Sequence, residues 1–241
     1  MENEVIDYTV NGDSFTGYLA WDSGINEKRP GVILVHEWWG HNAFVREQAD
    51  RLAELGYYAF AVDMFGTGKQ TDDPAEAQKF HDEALKSPVV LEARFRTALS
   101  LLQQHAGVDP NRIAAQGYCF GGGVVLAMAR LGLELRGAVS FHGALTSDVV
   151  AKKGKIQAEI QVYTGGADAM IPPQQVGAFV EEMQEAGAKL TLVSYPGVLH
   201  GFTNPAATER GEKFGLPLAY NQEAAMDSWQ GALDFYQKIF N

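Results

Sequence analysis

Short apolar runs alternate with longer stretches of helical periodicity along most of the chain. GVILVH (31–36) and YYAFAVD (57–63) are unbroken β-branched, aliphatic and aromatic runs, the pattern of strands buried on both faces. Between them, AFVREQADRLAELG (43–56) sets Phe44, Ala49, Leu52 and Leu55 at helical spacing and stops at Gly56, which predicts an amphipathic helix. Leu91, Phe95, Ala98 and Leu102 mark another helix, RIAAQGY (112–118) a strand, and GGVVLAMARL (122–131) a helix. The alternation continues with strands RGAVSFH (136–142) and EIQVYT (159–164), helix PQQVGAFVEEMQEAG (173–187) and strand KLTLVSYP (189–196). Ala225, Trp229, Leu233, Tyr236 and Phe240 give a closing amphipathic helix.

At the start, EVIDYTV and FTGYLAWD flank Asn11-Gly12-Asp13 and predict an antiparallel hairpin. Strands alternating with helices imply an α/β fold, a mostly parallel sheet with helices on both faces. No internal repeat, low-complexity tract or interdomain linker interrupts the pattern, so residues 1–241 are expected to form one domain. Residues 66–90 are the most polar and irregular stretch and read as an excursion beside a site.

Composition narrows the partners. The 241 residues are 46% hydrophobic, enough for a substantial core, and the formal charge is −11. A surface of that sign repels phosphate backbones and anionic lipid, so neither nucleic acid nor membrane is expected as a partner. One cysteine, Cys119, cannot form an intramolecular disulfide, and nothing requires an oxidising compartment. The N-terminus MENEVIDYTV has no basic region followed by an apolar one, and no run approaches about 18 apolar residues. The expectation is a cytoplasmic monomer.

The sole cysteine lies in GYCFGG (117–122), between a predicted strand and a predicted helix. A sharp strand-to-helix turn of G-x-C-x-G type exposes the central side chain and needs small neighbours, here Gly117 and Gly121. The helix N-terminus favours a thiolate, and the backbone N–H of Phe120 faces a developing oxyanion. Free cysteine is equally at home as a buried packing residue, and the motif alone leaves both readings open.

A thiol nucleophile needs a base. Of six histidines, His105 and His81 fall in polar helical surroundings, while His36 and His142 close predicted strands. His200, in YPGVLHGF, follows the last predicted strand, where the base of an α/β-hydrolase falls. Asp168, in QVYTGGADAMIPP, follows the preceding strand and supplies the acid in the required order of nucleophile, acid, base. Singly, such an Asp is turn chemistry and such a His a loop residue; together, each past the end of a strand, they favour a triad.

With those residues in place the chain resembles the dienelactone hydrolase family of α/β-hydrolases over nearly its whole length. HEWWGHNAFVRE (36–47), YYAFAVDMFG (57–66), GYCFGGG (117–123), GGADAMIP and YPGVLHGF carry the resemblance. It implies an ester or lactone hydrolase of carboxymethylenebutenolidase type, without cofactor, whose triad is Cys119, Asp168 and His200. It further implies that Glu37 takes the thiol proton when substrate binds, and that the Trp38 amide is the second oxyanion donor beside that of Phe120. Such a device fits thiol chemistry, since a free thiol of pKa about 8.5 is little ionised at neutral pH and a standing thiolate oxidises.

The chain departs from the family where an anionic substrate would be held. The arginine expected four residues after the catalytic histidine is Asn204, and residues 67–90 carry only Lys69, Lys79 and Lys86 as cations. Asparagine cannot make the charge-assisted fork that grips a carboxylate, so a neutral substrate is expected unless Lys69 or Arg94 folds over the site. Trp38, Trp39, Phe65, Phe80, His142, Phe202 and Asn204 are candidates to line the pocket, although aromatics at strand ends are more often core. No metal is expected, because His36, Glu37 and His41 lack a ligand spacing. Two rivals are a cysteine amidotransferase or peptidase, whose histidine usually lies nearer the cysteine, and a non-catalytic binding protein of the same fold, which usually lacks a triad member.

Overall fold

The two-residue turn Asn11-Gly12, with φ of 53° and 92°, joins strands β1 (Glu2–Val10) and β2 (Asp13–Trp21) in the predicted hairpin. Left-handed backbone at both turn positions matches the twist of the flanking strands, and Asn-Gly tolerates it. The computed structural model describes residues 1–25 and 27–241. Their contacts divide the chain into two compact units, Met1–Gln116 and Gly117–Asn241.

In the first unit β2 pairs antiparallel with β4 (Tyr58–Val62), and β4 pairs parallel with β3 (Arg29–Val35). All five β4 residues are buried, which explains a run with no polar alternation. Helix α1 (Ala43–Glu54) makes the crossover, with the Asn42 side chain accepting the Phe44 N–H at its start. Residues 66–90 are more regular than expected, because α2 (Pro74–Leu85) occupies their middle. It buries only Ala77 and Ala84, so hydrophobic periodicity barely marks it. Asp73 caps it, accepting N–H bonds from Ala75 and Glu76 ahead of Pro74. Helix α3 (Pro88–Gln104) leads into β5 (Val108–Tyr118), whose last two residues open the second unit.

In the second unit α4 (Phe120–Arg130) is buried nearly all round, as its unrelieved apolar sequence requires. Strands β6 (Gly137–Phe141), β7 (Glu159–Gly165) and β8 (Leu190–Tyr195) run parallel, with α5 (Pro173–Ala186) between the last two. The short α6 (Ala207–Phe214), not predicted, and the long α7 (Gln222–Phe240) complete it. Tyr118, Phe141 and Tyr163 stack in a row with centroids 4.9 and 5.3 Å apart, and Tyr163 continues to Tyr195 at 6.4 Å. Such ring contacts are worth about 0.5–1.5 kcal/mol each beyond area buried, and they fix the strand ends from which the site loops leave.

The architecture is thus α/β, a mostly parallel sheet with an N-terminal antiparallel hairpin and surrounding helices. Among the described residues no helix is long and apolar enough to cross a membrane.

Candidate active site

Cys119 sits between β5 and α4 with φ 53° and ψ −115°, a conformation that side-chain-bearing residues rarely adopt. Holding it there costs of order 1–3 kcal/mol, supplied by surrounding structure. Its N–H donates to Phe141 O at 3.0 Å, and its carbonyl accepts the Gly123 N–H at 3.2 Å. Gly117 follows from the sharpness of the turn, and Gly122 from the close approach of β6 and the segment after it. A Cβ at Gly117 would lie 2.1 Å from the Gly121 carbonyl oxygen, and one at Gly122 2.8 Å from Gly143 Cα. The thiol is partly exposed at the N-terminus of α4, whose first amides, Phe120 among them, lack intrahelical acceptors.

Asp168 and His200 meet although 32 residues apart. Asp168 Oδ2 lies 2.7 Å from His200 Nδ1, and Oδ1 accepts the Met170 N–H at 2.8 Å. One carboxylate therefore serves both as turn former and as partner to an imidazole. His200 is held by its carbonyl, which accepts the Ala219 N–H at 3.1 Å, while Gly201 turns the chain with φ 72°. Both side chains are buried, and His200 Nε2 makes no hydrogen bond of good geometry. Burial, the largest influence, disfavours the imidazolium, but the charge on Cys119 and the bond to Asp168 outweigh it and push the pKa up to about 10.

Three other candidates of the second unit lie on the loop that carries His200 or pack against it. The His142 ring lies 5.1 Å from that of His200 and 5.1 Å from that of Phe202, and both His142 and Phe202 are wholly buried. Asn204 is buried too, its Oδ1 accepting the Ala206 N–H at 3.0 Å to cap a turn. Thr203, which no sequence signal singles out, bonds His142.

The remaining candidates lie in the first unit. The wholly buried His36 binds its neighbour loops through both nitrogens: Nδ1–H donates to Glu37 O, and Nε2 accepts the Met64 N–H at 3.1 Å. Glu37 is buried. Trp38 and Trp39 meet edge to face at 4.9 Å, and Phe65 contacts His36 at 4.6 Å and Phe80 at 5.8 Å. Lys69 Nζ bonds both Glu83 oxygens at 2.9 Å, and Arg94 Nη1 donates to Met64 O at 2.8 Å. Both cations that could have folded over a substrate are thus engaged within this unit.

Burial pulls the pKa of His36 down to about 4, and that of His41 to about 4 as well, with the nearby His36 adding to the effect. An unfolded histidine takes a proton below about pH 6.5, so between 6.5 and 4 the unfolded chain binds more protons and stability rises with pH. The contribution is complete above pH 6.5 and is lost on acidification toward 4, on the order of 3 kcal/mol for a fully neutral His36. Urea midpoints should fall between pH 7 and 4.5, and less steeply in His36→Gln; an equally steep fall in that variant would assign the effect elsewhere.

Strand-helix alternation, a left-handed cysteine between β5 and α4, and a buried Asp–His pair beyond β7 and β8 define an α/β-hydrolase fold. The chain belongs to the dienelactone hydrolase family, whose model matches residues 15–240. It is 26% identical over 243 residues to "Protein usf" of Aquifex pyrophilus, with 98% of both chains covered. It is 27% identical over 241 residues to the "Putative carboxymethylenebutenolidase" of Escherichia coli (strain K12), covering 94% of this chain and 83% of that one. The solved structure of a dienelactone hydrolase-like promiscuous phosphotriesterase from metagenomic libraries matches with TM-score 0.93 and 30% identity, covering 100% of this chain and 99% of that one. The chain is therefore a hydrolase of the dienelactone hydrolase type, a family of ester and lactone hydrolases.

Proposed function

We propose that the protein hydrolyses uncharged carboxylic esters or lactones through a thioester on Cys119. The observation that carries this reading is the buried Asp168–His200 pair at 2.7 Å, near enough to the elbow cysteine for charge on Cys119 to raise the His200 pKa. Cys119 Sγ attacks the carbonyl carbon and its proton passes to His200, while the Phe120 amide stabilises the oxyanion. The imidazolium protonates the departing alkoxide, and the neutral imidazole then takes a proton from the water that cleaves the thioester, returning acid and free thiol. The roles that the family resemblance gives to Glu37 and the Trp38 amide belong to this proposal, as does the reading of residues 1–241 as one catalytic domain.

The preference for neutral substrates rests on charge. Asn204 stands where a carboxylate-gripping arginine would, and Lys69 is neutralised by Glu83. Desolvating a substrate carboxylate in a protein of charge −11 is then costly with little to offset it. Neutral p-nitrophenyl esters and lactones should show at least about tenfold higher kcat/KM than matched anionic ones, about 1.4 kcal/mol. The same panel takes in neutral phosphotriesters, after the activity named for the 30%-identical structure. A faster anionic member whose advantage shrinks with salt would overturn the charge argument. Ammonia release from glutamine, or no turnover by pure reduced protein, would overturn the hydrolase reading.

A further inference from the structure

His142 stands immediately after β6 with φ 42°, strained for a residue bearing a side chain although less so for histidine than for most. Its own N–H is tied to Tyr163 O at 2.7 Å, so the strain is imposed by the sheet. The consequence is an imidazole turned inward, with no exposed surface, against the loop that carries His200. Three contacts reach that loop: the His200 ring at 5.1 Å and 65°, the Phe202 ring at 5.1 Å and 77°, and Thr203 Oγ1 at 2.8 Å from Nε2.

Nε2 shares its hydrogen bond with the Thr203 hydroxyl, and Nδ1 makes no hydrogen bond of good geometry, so this one bond is the ring's polar anchor. Burial, reinforced by the charge on His200, keeps this ring neutral. On its other side the preceding residue, Phe141, accepts the Cys119 N–H at 3.0 Å. One short stretch at the end of β6 thus touches both the backbone of the proposed nucleophile and the ring of the proposed base.

We propose that His142 is a positioning residue for His200: its ring fixes the orientation of the base, and its bond to Thr203 fixes the loop that carries it. This rests on the reading of His200 as the base. It assigns the wholly buried His142 a place behind that base instead of on a pocket wall, so its loss should be felt in the chemical step and hardly in substrate binding. A small misplacement of a catalytic group is enough to cost a large factor in rate.

The test uses the full chain with a neutral p-nitrophenyl ester. His142→Phe keeps a ring against His200 and Phe202 but drops the Thr203 bond, and Thr203→Val drops the same bond from the other end. Each should lower kcat by about tenfold with KM changed less than twofold, and the double variant should be no slower than the worse single, since one bond is removed in all three. Thr203→Ser, which keeps the hydroxyl, should stay within about twofold of the parent. Unchanged kcat in Thr203→Val, losses that multiply in the double variant, or a loss confined to KM would overturn the proposal. Should His142→Phe not fold, the Val–Ser pair at position 203 decides alone. His200→Gln separates the two levels: retained activity there sinks the base itself, whereas an inactive His200→Gln beside a fully active Thr203→Val sinks only the positioning role.

Discussion

Cys119→Ala removes ester turnover, lowering kcat by at least about 10⁴-fold, while the protein unfolds at an unchanged or slightly higher temperature. The kinetic half follows from the proposed acyl-enzyme route. Without the sulfur no thioester forms, and only binding and oxyanion stabilisation of direct water attack remain. The stability half follows from the backbone. The left-handed turn at φ 53° is held by the Phe141 and Gly123 contacts, which involve main-chain atoms and survive the change. The side chain is partly exposed, so its truncation leaves little cavity. Cys119→Gly should be more stable than the parent by about 1 kcal/mol, since glycine relieves the strain. Activity assays with thermal unfolding of the three proteins decide the matter. An alanine variant that keeps even a tenth of the parent rate would remove Cys119 from the chemistry.

Asp168→Asn lowers kcat by about 10⁴-fold, the loss that accompanies an imidazole held in the wrong tautomer. In the parent, the carboxylate at 2.7 Å accepts from Nδ1 of His200, which leaves Nε2 without a proton and, in the proposed mechanism, able to take one from Cys119. An asparagine amide donates to Nδ1 as readily as it accepts, and a proton forced onto Nε2 blocks that transfer. The fold should survive, because an asparagine Oδ1 can still accept the Met170 N–H and form the turn after β7. KM for neutral esters should change little, since Asp168 is buried behind His200. A variant retaining more than about one per cent of kcat would show that His200 is oriented by other groups, such as the neighbouring loop contacts.

Much of this was legible in the chain itself, for reasons that are local. Strands β3 and β4 announce themselves because a strand covered on both faces has no polar position to alternate with. The hairpin turn at Asn11-Gly12 and the elbow at Gly117–Gly121 are legible because steric exclusion acts between near neighbours and leaves glycine as its mark. Helix α2 left only a local trace, Asp73-Pro74 followed by Glu76, because two buried alanines cannot build a periodic stripe; α6 left less.

What the chain alone could not decide is set by contacts between distant segments. Chain order singles out Asp168 and His200 after two successive strands, but only the parallel pairing of β7 with β8 brings their side chains to 2.7 Å. The pairing of Lys69 with Glu83 depends on where α2 falls after the loop at 66–71. His36 and His142 read as strand ends, His142 also as a candidate to line the pocket, and Thr203 carries no signal. Burial made the first two neutral hydrogen-bonding pins, because an imidazole enclosed by protein cannot keep its charge and must spend its nitrogens on the groups around it. Local sterics determine which segments turn, extend or coil; only the packing of those segments decides which polar atoms are left facing one another, and the chemistry belongs to those pairs.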